Sequence, residues 1–154
     1  MAVSAIPEGY QAITPYLIVK GADEAIDFYR KVLGASERMR LEGPDGKVMH
    51  AELQFGASVV MLADEFPAMG CLSPQTLGNT GVSVLLYVEQ VDKVFAQALA
   101  AGAKELRPVK DQFYGDRSGT LQDPFGHIWT VATHIENLTP EQIRQRAQAF
   151  FEQA

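Results

Sequence analysis

Apolar and polar residues alternate along several short stretches of the chain, and this spacing of two predicts β-strands. The clearest stretch is residues 48–55, where one face would be apolar and the other mainly polar. The apolar face would carry Met49, Ala51, Leu53 and Phe55, and the opposite face Val48, His50, Glu52 and Gln54. Residues 58–64 form a further predicted strand that is apolar throughout, which indicates cover on both of its faces.

Two other segments have apolar residues three and four positions apart, which is the spacing of an amphipathic helix. They cover residues 22–33 and 91–99. Gly34 and Gly102 follow them, and glycine readily takes the left-handed conformation that ends a helix. A third helix is predicted to begin at Thr139, because the sequence Thr-Pro-Glu-Gln supplies an N-cap hydroxyl and a glutamine for a capping box.

These elements occur twice in the same order, and each half consists of a strand, a helix and three strands. The first predicted module spans residues 13–65 and the second spans 81–135. A connector rich in proline and glycine, residues 66–80, separates them, while residues 1–12 form an N-terminal segment and 136–154 carry the C-terminal helix. The predicted fold class is therefore α+β, with tandem βαβββ modules.

The composition narrows the range of functions. The chain has 154 residues, of which 47% are hydrophobic and 21% charged, as is typical of a folded globular protein. Its formal net charge of −6 disfavours nucleic acid and anionic membranes as partners, and its longest apolar stretch is too short to span a bilayer. The single cysteine, Cys71, cannot form an intrachain disulfide. Because the N-terminus lacks a secretory signal pattern, we expect a cytoplasmic protein. Because the charge disfavours nucleic acid and membranes, we expect its partner to be a small molecule.

The repeat and its turn motifs resemble the vicinal oxygen chelate superfamily, which includes glyoxalase I, bleomycin-resistance proteins, extradiol dioxygenases and fosfomycin-resistance transferases. The resemblance spans residues 13–135 and rests on Leu33-Gly-Ala35, Ala101-Gly-Ala103 and Asp123-Pro-Phe-Gly-His-Ile-Trp129. Four further motifs resemble the PhnB-like branch, often labelled glyoxalase-like: Thr14-Pro-Tyr-Leu17, Met49-His-Ala-Glu52, Met61–Glu65 and Phe113–Gly119. The resemblance implies that each module curls its strands into half of a cup, with a ligand inside and the helices outside.

The resemblance also locates the family's metal site, and the residues found there do not suit a metal. In metal-dependent members the ligands come from the first and fourth strands of each module and are usually His, Glu or Gln. The corresponding positions in this chain are Thr14, Met61, Ser83 and Thr130. None of them supplies an imidazole or a carboxylate, so we expect no metal or other cofactor. Glyoxalase I activity through a metal-bound glutamate is therefore not expected.

If these positions face the cup, strand alternation sends several aromatic and polar side chains to the same side. The expected ligand-binding residues are Tyr16, Met61, Tyr87, Tyr114, Arg117 and Thr130. His50 and Glu52 lie two positions apart on one strand face, which makes them the catalytic candidates, for proton transfer or for holding a displaced metal. The alternative is that they form an ordinary hydrogen-bonded polar face.

Arg117 lies in a segment bounded by glycines, together with Tyr114 and Asp116. Its guanidinium could bind a carboxylate or phosphate of a ligand, with Tyr114 stacking or donating its hydroxyl. The alternative is an Asp–Arg ion pair that braces the hairpin. His127 is expected to form structural hydrogen bonds, and His134 is a weaker candidate for ligand contact.

Three functions are compatible with these features. The first is binding of a small molecule without a metal, because the resemblance extends to bleomycin-resistance proteins, which sequester ligands in aromatic, acidic clefts. The second is a metal-dependent lyase, isomerase or dioxygenase whose ligands have moved to His50 and Glu52, and the third is a role in assembly with a vestigial cup. A homodimer is expected in each case, because this family often completes its cups across subunits and the apolar stripe at 143–151 needs a partner surface.

Overall fold

The computed structural model describes residues 2–154, and the chain folds into two compact units that each contain one four-stranded sheet. The first unit comprises residues 2–80 and 124–126, and the second comprises 81–123 and 127–154. Both units follow the predicted order of a strand, a helix and three strands. The predicted α+β fold class with a βαβββ repeat is confirmed.

The first unit begins with one helix and one mixed sheet. Its elements are β1 (Tyr16–Val19), α1 (Ala22–Val32), β2 (Ser36–Glu42), β3 (Val48–Phe55) and β4 (Ser58–Asp64). The strand order is β1-β4-β3-β2, with β1 parallel to β4 and the other pairs antiparallel. The helix α1 lies against the sheet, where Ile26, Tyr29, Leu53 and Leu62 are fully buried. Burial of each such side chain stabilises the fold by about 1.5–3 kcal/mol. Because α1 covers one face of the sheet, only the other face can carry a site.

Asp64, at the end of β4, fixes the starts of both α1 and β3. Gly21 precedes the helix with a φ of 94° and offers no side-chain cap. The Asp64 Oδ1 atom instead accepts hydrogen bonds from the backbone N–H groups of Gly21 (3.0 Å) and Ala22 (2.8 Å). Its Oδ2 atom accepts from the N–H of Val48 at 2.9 Å. One carboxylate therefore caps the helix and joins three segments of the first unit.

The connector at residues 66–80 is more ordered than its composition predicts. It contains a 3₁₀ helix, Pro67–Met69, and the short helix α2 (Pro74–Leu77). Ser73 is fully buried and its hydroxyl accepts from the N–H of Thr76 at 3.2 Å, while its own N–H donates to Glu65 Oε1 at 2.7 Å. These side-chain partners satisfy backbone groups that an irregular loop would leave to water.

The second unit repeats the arrangement. It contains β5 (Ser83–Tyr87), α3 (Val91–Ala100), β6 (Lys104–Asp111), β7 (Asp116–Gln122), β8 (Ile128–His134) and α4 (Pro140–Glu152). The strand order is β5-β8-β7-β6, with β5 parallel to β8. The predicted hairpin between β7 and β8 is confirmed, and Asp123 stabilises it by accepting from the N–H of His127 and the indole N–H of Trp129, both at 2.9 Å.

The C-terminal helix α4 begins as predicted. Thr139 and Gln142 form a reciprocal capping box. None of the helix residues is buried, and Phe150 and Phe151 are 47% and 68% exposed. The Phe150 ring packs on Phe113 with 5.2 Å between ring centroids, so part of the aromatic surface is covered by its own unit and part faces solvent. Within residues 2–154, no helix is both long and apolar enough to cross a membrane.

Met49 departs from the prediction for β3. Ala51, Leu53 and Phe55 are buried as expected, but Met49 is 61% exposed and Val48, assigned to the opposite face, is 1% exposed. The Met49 side chain lies beside Gly43, at the turn that joins β2 to β3. Alternation therefore identifies the buried face at Ala51, Leu53 and Phe55. It does not show that the packing against this face ends before Met49.

Candidate functional site

The face of the first sheet that points away from α1 carries the polar residues predicted for it. Strand pairing places Tyr16 beside Met61, and Met61 beside Glu52. His50 lies two residues before Glu52 and therefore on the same face. Tyr16 is 46% exposed, whereas Glu52 is 5% exposed. The structure thus brings together four of the residues that the sequence nominates for catalysis or ligand binding.

Glu52 is the buried carboxylate of this cluster. Its Oε2 atom accepts a hydrogen bond from the Tyr10 hydroxyl, and its Oε1 atom lies 3.1 Å from His50 Nε2. Burial alone would raise the pKa of Glu52, but the hydrogen bonds from Tyr10 and His50 outweigh it, and the pKa is lowered. The carboxylate is therefore ionised at neutral pH.

His50 connects Glu52 to Tyr16. Its Nδ1 atom lies 2.8 Å from the Tyr16 hydroxyl oxygen, and the two rings are 5.5 Å apart between centroids. Burial, followed by the nearby Cys71 and Glu52, raises the pKa of Tyr16, so the phenol stays protonated at neutral pH. The result is a continuous chain of hydrogen bonds from a buried carboxylate to a half-exposed phenol.

Tyr10 is a member of this cluster that sequence reasoning missed. The Arg38 guanidinium lies over its ring, 4.6 Å from the centroid, and also donates to Gln54 Oε1 at 3.2 Å. Tyr10 belongs to the N-terminal segment, which has no periodicity, so no signal in the sequence connects it with Glu52. We refer to Tyr10, Tyr16, His50 and Glu52 as the tyrosine–histidine–glutamate cluster.

A cavity of about 590 Å³ opens next to this cluster in the first unit. Its uncharged lining comes from the sheet and the connector: Tyr16, Ile18, Val48, Met49, Ala63, Phe66, Pro67, Ala68, Met69 and Cys71. Its charged lining consists of Asp45, Lys47, Asp64 and Glu65. Tyr16 therefore belongs both to the cavity wall and to the tyrosine–histidine–glutamate cluster.

The acidic part of this wall is held in place by hydrogen bonds. Asp64 accepts from three backbone N–H groups, as described above. Hydrogen bonds from the side chains of Thr76 and Ser73, and from the Ser73 backbone, lower the pKa of Glu65 to about 2. Because three carboxylates line the cavity against the one ammonium of Lys47, its electrostatic character is negative.

The second unit contains a separate polar cluster. The Tyr87 hydroxyl donates to Asp116 Oδ2 and His134 Nδ1 lies beside Asp116 Oδ1, both at 2.8 Å, while His134 Nε2 lies 2.9 Å from Asn137 Oδ1. These partners, Asp116 first, raise the pKa of His134. The contact of Tyr87 and His134 with one buried aspartate was not predicted, because the three residues lie on three strands.

The other predicted ligand-binding residues have partners within the second unit. Thr130 and Thr120 share a hydrogen bond at 3.0 Å between their hydroxyl oxygens. Arg117 donates through Nε and Nη2 to both oxygens of Asp92 at 2.8 Å, and through Nη1 to Asp111 at 3.0 Å. Arg117 therefore forms an Asp–Arg ion pair, the alternative to ligand binding that the sequence left open. Its partners are Asp92 and Asp111, and not the adjacent Asp116. Tyr114, 39% exposed, packs edge-on against Phe113. Their contact with a ligand stays a prediction.

The residues present do not fit the metal that the family's fold implies. Thr14, Met61, Ser83 and Thr130 offer at most neutral hydroxyls and a thioether. Among residues 2–154, no group of three or more His, Cys, Asp or Glu side chains is placed to hold an ion. His50 and Glu52 would give two ligands, but the structure engages both nitrogens of His50 with Glu52 and Tyr16. Zinc sites need at least three protein ligands, so this pair does not make one.

Two βαβββ units, each with a helix on one sheet face, define a tandem-module protein of the vicinal oxygen chelate type. The model of the Glyoxalase/Bleomycin resistance protein/Dioxygenase superfamily matches residues 11–131, and the chain belongs to this superfamily. The match covers most of the chain, including the tyrosine–histidine–glutamate cluster from Tyr16 onwards and the cavity.

Similar proteins occur in several bacteria. An uncharacterized Mycobacterium tuberculosis protein, Rv0887c, is 40% identical over 147 residues, covering 94% of this chain and 84% of its own. The crystal structure of PA1353 from Pseudomonas aeruginosa is 28% identical, with a TM-score of 0.67 over 82% of this chain and 99% of that one. A Bacillus cereus structure described as a PhnB protein is 21% identical, with a TM-score of 0.63 over 80% and 99% of the two chains, and this likeness shows the fold alone.

Proposed function

We propose that this protein binds a small organic molecule in the cavity of its first unit. The observation that carries the proposal is the cavity itself, about 590 Å³ with largely uncharged walls and the Tyr16 phenol at its border. Sites for small molecules usually have volumes of 300–1,000 Å³, apolar walls and a few fixed polar groups. The cavity meets each of these conditions within one unit.

The walls favour a flat, apolar ligand with a positively charged or polar group. Phe66 and Met69 offer an aromatic ring and a polarisable thioether, both suited to stacking on a planar molecule. The three lining carboxylates favour a cation over an anion. The superfamily's name includes bleomycin resistance proteins, which supports testing bleomycin together with smaller aromatic cations.

The test is a binding measurement with a variant that fills the cavity. Berberine, a flat aromatic cation, is titrated by fluorescence and bleomycin by calorimetry. Ala68→Trp adds a large side chain to an exposed part of the cavity wall and should weaken binding at least tenfold, whereas Ala149→Trp on α4 should not change it. Binding of neither probe, or equal affinities in wild type and Ala68→Trp, would refute a ligand site in this cavity.

We also propose that binding needs no metal, because Thr14, Met61, Ser83 and Thr130 stand at the family's ligand positions. The test is elemental analysis of protein purified without a histidine tag, together with thermal shifts in nickel, zinc, cobalt and manganese. We expect no stoichiometric metal and no stabilisation. A bound metal that is lost in His50→Ala and Glu52→Ala would instead support the metal-dependent lyase, isomerase or dioxygenase with relocated ligands.

Membership of the PhnB-like branch and formation of a homodimer complete the proposal. The branch assignment is supported by the motifs at Met49–Glu52 and Phe113–Gly119, both of which contribute residues to the polar clusters described above. The dimer is supported by the exposed aromatic surface of α4, where Phe151 is 68% exposed. Sedimentation measurements, described in the Discussion, test the dimer.

A further inference from the structure

The direction of the hydrogen bonds in the tyrosine–histidine–glutamate cluster determines what Tyr16 can offer a ligand. An ionised carboxylate can only accept hydrogen bonds. Glu52 is ionised, so His50 Nε2, which lies 3.1 Å from Glu52 Oε1, must carry a proton. Tyr10 occupies the other oxygen of the carboxylate as a donor. The buried end of the chain of hydrogen bonds is therefore fixed.

The direction of the hydrogen bond at Tyr16 follows from the direction at Glu52. A neutral imidazole has one N–H group, so His50 Nδ1 is an acceptor when Nε2 carries the proton. The Tyr16 hydroxyl lies 2.8 Å from Nδ1 and has a single proton, which it donates to that nitrogen. The phenol oxygen then keeps a lone pair but has no proton left to give. Tyr16 itself lines the cavity and is 46% exposed.

We propose that the cavity selects ligands that donate a hydrogen bond, such as amines, alcohols or indole-type N–H groups, because Tyr16 presents only an acceptor to it. This inference rests on the proposed function, since it concerns the ligand of the same cavity. The three lining carboxylates reinforce the selection, because protonated amines are donors that also carry positive charge. Tyr16 is thus a specificity-determining residue, and His50 and Glu52 are positioning residues.

The test compares indole with benzofuran, which have nearly the same shape but present an N–H group and an ether oxygen, respectively. Affinities are measured by NMR titration at about pH 8. One neutral hydrogen bond corresponds to a preference of about 3- to 10-fold, and we expect the wild type to prefer indole by this factor. Tyr16→Phe should abolish the preference. Tyr29→Phe removes a hydroxyl from α1, on the other face of the same sheet, and should retain the preference.

Glu52→Gln tests the direction of the hydrogen bonds. The glutamine oxygen can still accept from Tyr10, while its amide nitrogen can donate to His50 Nε2. The His50 proton then moves to Nδ1 and is donated to Tyr16, whose own proton becomes free for the cavity. The preference for indole should therefore fall at least threefold or reverse. The ¹⁵N chemical shifts of His50 report the tautomer directly, with Nε2–H expected in the wild type and Nδ1–H in Glu52→Gln.

The outcomes separate this inference from the proposed function. Equal affinity of the wild type for the two probes, or an Nδ1–H tautomer of His50 in the wild type, overturns the inference while leaving a ligand site in the cavity. Binding of neither probe at millimolar concentration overturns both, and the His50 tautomer then shows whether the hydrogen-bond direction itself holds. If Glu52→Gln does not fold, the comparison of Tyr16→Phe with Tyr29→Phe decides.

Discussion

Asp64→Ala should be among the most destabilising single substitutions in the first unit. The carboxylate accepts from the backbone N–H groups of Gly21, Ala22 and Val48, and its removal leaves all three without that acceptor. Gly21 is partly exposed and can bind water instead. Ala22 and Val48 are 0% and 1% exposed, so their N–H groups cannot easily do so. The damage therefore comes mainly from two buried donors.

The expected magnitude follows from those two donors. A buried hydrogen-bonding group without a partner costs about 1–3 kcal/mol, and loss of an N-cap acceptor costs about 1 kcal/mol. We expect Asp64→Ala to lower the free energy of unfolding by about 3–5 kcal/mol, given the partial overlap of the two effects. Asp64→Asn keeps one acceptor oxygen and sets an amide group against Val48, so its cost should be about 1–3 kcal/mol.

The assay is urea unfolding at neutral pH, followed by circular dichroism. Asp45→Ala is the matched control, because Asp45 also lines the cavity but accepts one exposed hydrogen bond, from the N–H of Lys47. Its cost should stay below about 1 kcal/mol. A loss of less than about 1 kcal/mol in Asp64→Ala, with an unchanged m-value, would show that water replaces the carboxylate and that the reasoning from buried donors is wrong.

Three further results are expected. First, Glu65 has a lower pKa in the folded chain than in the unfolded one, so its contribution to stability is present above about pH 4.5 and is lost as the pH falls towards 2. Urea unfolding should therefore show that the free energy of unfolding falls less over this pH range in Glu65→Gln than in wild type. Second, a Cβ atom on Gly119 would lie 2.8 Å from both Phe95 Cε2 and Val109 Cγ2. Gly119→Ala should therefore lower the melting temperature, at a cost of about 1–3 kcal/mol, and an unchanged melting temperature would contradict this packing. Third, the wild type should sediment as a dimer at micromolar concentration and Phe151→Glu as a monomer, while Gln148→Glu on the same helix should remain dimeric; a monomeric wild type would refute the dimer.

The sequence predicted the fold well because the core obeys simple periodicities. The strand Ser58–Asp64 has the predicted bounds, and α1 and α3 begin at the predicted residues. The connector was predicted less well, because Ser73 and Glu65 order it through one side-chain cap and one hydrogen bond from a backbone N–H to a carboxylate. Such contacts depend on which residues meet in space, and a pattern of prolines and glycines does not contain that information.

The site was predictable to the extent that it lies on one strand. His50 and Glu52 are two positions apart, so alternation alone places them together, and the structure shows them in contact. Tyr16 joins them only because β1 pairs with β4, and β4 with β3, in a particular register. Tyr10 comes from a segment with no secondary structure, where it contacts both Glu52 and Arg38. Register and coil conformation are therefore the parts of the site that the sequence did not reveal.

The two modules retain the same scaffold contact but differ in chemistry at matching positions. Asp64 lies three residues after Met61 and caps α1. Thr133 lies three residues after Thr130, the matching position of the second unit, and accepts from the first N–H of α3 at 3.0 Å. In the first unit the residue paired with Met61 is the ionised Glu52, whereas in the second unit Thr130 pairs with the neutral Thr120. A metal site built from matching strands of both modules needs a charged or imidazole ligand at such positions in each, and the second unit supplies only hydroxyls there. The repeat therefore preserved what starts each helix, while the acid–base chemistry at this position is confined to the first unit.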